Sequence, residues 1–163
     1  MEKVRVKLPS GLSLNLWMAV SVLLLSSCAP PRVIILEDRL TAEEHNDLGY
    51  VYEHRGMDNL AEKEYLLALE KREHWAVPLF NIGNLHFKKA DYKNAELYFR
   101  KALEADPANA DVMNNLANAL AMQRRCREAM ALVDRALQMS RKDAYADTRR
   151  MIAERQQHAL CIE

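Results

Sequence analysis

Residues 42–143 repeat every 34 positions without a gap, and so regular a period leaves few folds open. The copies are 42–75, 76–109 and 110–143. Each holds two helical stretches parted by a short polar turn: Arg55-Gly56-Met57-Asp58, Lys89-Ala90-Asp91 and Arg124-Arg125. Small residues recur at one place on the first stretch (Gly49, Gly83, Ala117) and another on the second (Ala61, Ala95, Ala129). A helix pair this short cannot bury its apolar side alone, so successive pairs must stack into a continuous core. Only four Gly and five Pro interrupt the chain, and its many Ala, Leu, Glu, Lys and Arg favour helix.

The pattern resembles the tetratricopeptide family over about 100 residues. It is carried by Leu48-Gly49, Tyr52, Ala61, Tyr65 and Ala68 in the first copy. In the second it is carried by Ile82-Gly83, His86, Ala95, Phe99, Ala102 and Pro107, and in the third by Leu116-Ala117, Leu120, Ala129, Val133 and Ala136. Gly or Ala on the first helix is expected to face Ala on the second, letting the backbones approach closely. His45, Leu79 and Met113 stand where the family often has Trp, and His86 where it has Tyr. Glu73 and Arg141 replace the family's Pro. Thr41-Ala42-Glu43-Glu44 has the form of a capping box, opening the first helix. Asp106-Pro107 closes the second helix of the second copy. The resemblance implies an all-α, right-handed superhelix of three helix-turn-helix repeats within a domain spanning 41–163. A last stretch, 144–160, caps it: Arg149, Arg150, Glu154, Arg155, Gln156 and Gln157 form its solvated face, while Tyr145, Ile152 and Leu160 turn inward.

The beginning of the chain reads as an address. Lys3, Arg5 and Lys7 precede an uncharged apolar run, residues 16–25. Ten residues at a rise of ~1.5 Å span about half a bilayer core, which suits a signal peptide better than a permanent span. Leu25-Ser26-Ser27-Cys28 then resembles the lipobox of bacterial lipoproteins. Residues 1–27 are therefore expected to be a leader, with Cys28 the lipidated first residue of the mature chain. Residue 29 is Ala rather than Asp, which by the same resemblance implies the outer membrane, facing the periplasm. Residues 28–40 form the tether. Pro30-Pro31 makes it extended and semi-rigid, and Val33-Ile34-Ile35-Leu36 is apolar enough to pack against the first helix pair.

Charge narrows the function. The chain holds 23 basic and 23 acidic residues, and removing the leader with Lys3, Arg5, Lys7 and Glu2 leaves 20 against 22. No basic stripe of a nucleic-acid binder appears. The five His form neither HExxH nor an i, i+4 pair, no GxSxG or Gly-rich phosphate loop occurs, and no His is placed beside Cys126. No catalytic residue, metal site or cofactor is expected.

The resemblance instead implies that the first helices line a concave groove through repeat positions 2, 5, 9 and 12. These are Glu43, Asn46, Tyr50 and Glu53, then Val77, Phe80, Asn84 and Phe87, then Asp111, Asn114, Asn118 and Ala121. The core stripe of the second copy is supplied by Leu79, Ile82, Gly83 and His86, so Phe80 and Phe87 are expected to meet water as a contact patch. With Tyr50, and with Asn84, Asn114 and Asn118 offering donors and acceptors to an extended peptide, they form the candidate binding site. No Lys or Arg occupies these positions, so the carboxylate clamp of one family subclass is not expected here.

Cys126 and Cys161 are the two cysteines left once Cys28 is acylated, and an oxidising compartment favours pairing them. Cys126 opens the second helix of the third copy. If that helix and the cap run antiparallel, position 126 lies opposite about 158, within about one turn of Cys161. The expected function is an envelope adaptor, anchored by lipid, that holds proteins or peptides. The alternative is an accessory subunit positioning a separately encoded envelope enzyme.

Overall fold

The computed structural model describes residues 38–158, 160 and 161. The leader, Cys28 and residues 33–36 lie outside the described residues, and the helical domain falls within the unit 39–163. Its helices, in chain order, are α1 (Ala42–His54), α2 (Asp58–Lys71), α3 (Ala76–Lys88), α4 (Tyr92–Ala105), α5 (Ala110–Met122), α6 (Cys126–Met139) and α7 (Asp143–Gln157). Among the described residues there is no strand. No helix there is long and apolar enough to cross a membrane.

The helix boundaries keep the 34-residue step of the sequence. At α1 the Thr41 hydroxyl accepts from the Glu44 amide at 3.2 Å, and the Thr41 amide donates to the Glu44 carboxylate at 2.7 Å. Asp91 caps α4 and Asn109 caps α5 through side-chain oxygens. Asp106-Pro107 closes α4 as expected, but the second helices of the other copies stop at the same place without a proline. Arg72, Asp106 and Ser140 leave the helix at equivalent places with φ between −139° and −151°, although only Asp106 is followed by Pro. Ala68, Ala102 and Ala136, four residues earlier in each copy, are fully buried, and their carbonyls accept from the amides of those three residues. Each turn between paired helices also contains one left-handed residue: Gly56 (φ 71°), Ala90 (φ 58°) and Arg124 (φ 69°).

Within each copy the two helices pack together, and each second helix packs against the next first helix. First helices also reach each other, α3 to α5 and α5 to α7, while no comparable contact joins successive second helices. Such an array curves with its first helices on the inner side. His45, Leu79 and Met113, at the position where the family has Trp, are all buried. His45 bonds Glu64 through Nδ1 at 2.7 Å.

The glycines differ from the sequence expectation. A methyl at Gly83 would stand 2.5 Å from Cε1 of Phe99, and one at Gly49 2.6 Å from the ring of Tyr65. The room is taken chiefly by an aromatic ring four residues beyond the expected Ala, although at Gly49 the Ala61 carbonyl also approaches to 3.2 Å.

The cap departs from 144–160 at both ends. α7 begins at Asp143, 33 rather than 34 residues after the start of α5, and ends at Gln157. Tyr145 and Ile152 are buried as expected, but Leu160 is exposed. The chain leaves the helix because its end is held elsewhere. Cys161 is bonded to Cys126, with Cα atoms 5.5 Å apart across a sequence separation of 35, and the Arg124 guanidinium donates to the Leu160 carbonyl at 3.0 Å.

Candidate functional site

The inner face is assembled from α1, α3 and α5, with α7 as a fourth first helix. Two hydrogen bonds fix this register. Asn115 on α5 donates to Asn84 on α3 at 2.8 Å, and one step on Asn118 on α5 donates to Thr148 on α7 at 3.2 Å. In both, the sixth residue of a first helix meets the ninth of the one before. Ala144, Asp147, Met151 and Glu154 of α7 thus stand where Asp111, Asn114, Asn118 and Ala121 stand on α5. The strict 34-residue step hid this extension of the face. The burial of Tyr145 and Ile152, which match Val112 and Ala119, follows the same shortened step.

The site residues fall into three groups. Tyr50 is open, 54% exposed, its ring 3.9 Å from that of His54. Phe80 and Phe87 are half-buried against the core rather than standing in water. Phe80 lies 5.9 Å from Phe99, and Phe87 meets Tyr92 at 5.4 Å. Each ring thus packs on the second helix of its own copy and leaves part of its surface exposed. The asparagines are partly committed. Asn84 accepts from Asn115, Asn118 donates to Thr148, and Asn114 donates to Asn115 at 3.3 Å. Asn114 is only 7% exposed, and its Oδ1 accepts no hydrogen bond. The Oδ1 of Asn46, at the same repeat position on α1, is likewise buried and unsatisfied. An unpaired buried acceptor costs about 1–3 kcal/mol, and with its Oδ1 covered Asn114 can take an incoming donor only if its side chain turns. Val77, 46% exposed, completes an apolar strip with Tyr50 and the two Phe rings.

Ion pairs surround the face. Asp111 accepts from Lys142 at 2.7 Å and from the Tyr145 hydroxyl, and these bonds hold its carboxyl below the usual range. Tyr65 donates to Glu53 at 2.7 Å, and burial together with that carboxylate pushes the phenol above its ordinary pKa. Among the described residues no group of three or more His, Cys, Asp or Glu is placed to hold a metal ion.

Comparison with known proteins agrees with this geometry. Residues 86–152 match the family model described as tetratricopeptide repeat. A 77-residue stretch, 47% of this chain, is 35% identical to Tetratricopeptide repeat protein 6 of Homo sapiens. The chain spans only 15% of that protein's length. Among solved structures, the first TPR of Spaghetti (RPAP3) bound to the HSP90 peptide SRMEEVD superposes with a TM-score of 0.68 at 17% identity. The match covers 74% of this chain and 96% of that one, and at such identity it shows the fold. The helical array has the fold of a tetratricopeptide repeat domain, and residues 86–152 carry the sequence pattern of that repeat.

Proposed function

We propose that this chain is a membrane-tethered adaptor of the bacterial cell envelope, anchored by lipid on Cys28, that holds protein or peptide partners against the inner face of its repeats. The observation that carries the binding reading is the apolar strip on the inner face: Tyr50 and Val77 are 54% and 46% exposed, too open to be core alone. Stacked helix pairs favour such extended concave surfaces, and the RPAP3 neighbour, similar in fold, holds a peptide. The tether rests on the sequence, where an apolar run ends in Leu25-Ser26-Ser27-Cys28. Two or more acyl chains give stable anchoring where a single chain gives only reversible binding.

Expression in a double-membrane bacterium with labelled palmitate tests the anchor. The parent chain incorporates label and sediments with the outer membrane, and Cys28→Ala does neither. A Cys28→Ala chain that labels and fractionates like the parent overturns the tether.

A further inference from the structure

The charges and the unmatched atoms of the inner face share one polarity. At its four lining positions per helix stand Glu43 and Glu53 on α1, Asp111 on α5, and Asp147 and Glu154 on α7, and no Lys, Arg or His. His54, Lys88 and Arg155 occupy the edge position beyond; the His54 ring lies against that of Tyr50, and Lys88 is taken by Asp58 at 3.0 Å. Both buried, unsatisfied atoms at lining positions, Asn46 Oδ1 and Asn114 Oδ1, are acceptors. The third such atom in the protein's described residues, Arg155 Nε, lies at the edge.

Four of the five carboxylates remain available to a ligand. Asp111 is taken by Lys142 and the Tyr145 hydroxyl, whereas Glu43 and Asp147 pair with Arg72 and Arg150 in bridges that are largely solvent-exposed and so weakly held. Among the described residues Glu53 receives only the neutral Tyr65 hydroxyl, which brings it no positive charge. No side-chain partner meets Glu154 among the described residues. A face rich in acceptors and negative at both ends, with an apolar strip between, complements a ligand rich in donors and repels an acidic one.

We propose that the inner face selects cationic peptide segments, in which Lys or Arg side chains flank apolar ones. This rests on the groove reading above and adds the chemistry of the partner. It sets the chain apart from a neighbour that holds the acidic SRMEEVD peptide.

The test is selection of a random 12-residue peptide library on the full chain in nonionic detergent. Binding of the enriched peptides is then measured by fluorescence anisotropy at two salt concentrations. The expected pool gains Lys and Arg over the input and loses Asp and Glu. Its members bind more weakly at high salt, and each weakens roughly two- to fivefold against Glu53→Gln and Glu154→Gln, the range of a partly exposed ion pair. Arg127→Gln, on an exposed part of α6, leaves binding unchanged, and circular dichroism checks that each variant folds. A pool without cationic bias whose members are still lost with Tyr50→Ala or Val77→Ala overturns the charge selection and leaves the groove standing. Peptides indifferent to Tyr50→Ala and Val77→Ala, or no enrichment at all, overturn the groove reading and the selection with it.

Discussion

Gly83 and Phe99 are complementary in volume: the ring of Phe99 fills the space a side chain at Gly83 would need, with Cε1 2.5 Å from where a methyl would stand. Gly49 and Tyr65 repeat the arrangement one copy earlier. In the third copy the same positions hold Ala117 and Val133, both fully buried. The methyl gained on one helix is matched by a smaller side chain on the other. Gly83→Ala is therefore expected to destabilise the fold by about 1–3 kcal/mol, the usual cost of overpacking, despite the better helix propensity of Ala. Thermal unfolding measures this, and adding Phe99→Val, which restores the Ala–Val pairing of the third copy, should recover part of the loss.

The left-handed turn residues predict a gain. Gly56 takes its positive φ freely, whereas Ala90 holds φ 58° with a Cβ, at a cost of about 1–2 kcal/mol. Ala90→Gly removes that cost, offset in part by the greater freedom of Gly when unfolded. A net stabilisation of about 0.5–1 kcal/mol is expected, read as a raised midpoint in urea.

The bridge between Cys126 and Cys161 closes a loop that contains α6 and the whole cap. Cross-links over loops of this size contribute about 2–4 kcal/mol. Cys161→Ser should lower the melting temperature and raise amide exchange in α7 ahead of α1–α4. Uniform exchange across the domain would show that the bridge does not act on the cap.

Acid should unfold the domain through two carboxyls. Burial alone would raise Glu96, but hydrogen bonds from Arg100, Arg125 and Gln123 outweigh it and hold the group below its usual range. Asp111 is held low by Lys142 and Tyr145. Because both folded pKa values are depressed, their stabilisation is fully present above the unfolded values, roughly 4. It is lost as pH falls through the folded ones. Stability carried by these groups should stay flat from about pH 7 to 5 and fall steeply below about pH 4. Glu96→Gln should flatten that acid limb, as followed by denaturant titrations at successive pH values.

Much of this fold is legible in the sequence because a 34-residue period ties every helix to its equivalents, and the Thr41–Glu44 cap is written in four adjacent residues. The candidate site is harder to read. Phe80 and Phe87 lie outside the core stripe of their own helix yet are half-buried, because burial there depends on helices α4 and α5, which no periodicity within α3 reports. The fourth inner helix is obscured by a single missing residue between α5 and α7. The mutual bonding of Asn84, Asn115, Asn118 and Thr148 depends on three helices at once, so residue type alone cannot distinguish a committed amide from the free acceptor of Asn114.

Photocrosslinking in the living envelope tests the central claim most directly. A photoreactive residue is placed at Tyr50 or Val77 on the inner face, and at Leu97, exposed on the second helix α4, as the control. Truncating Phe80 or Phe87 would disturb the core as well, whereas these exposed positions report contact alone. The account predicts discrete protein adducts from positions 50 and 77, absent from position 97 and lost when Cys28→Ala removes the anchor. Adducts from position 97 with none from 50 or 77 would contradict it.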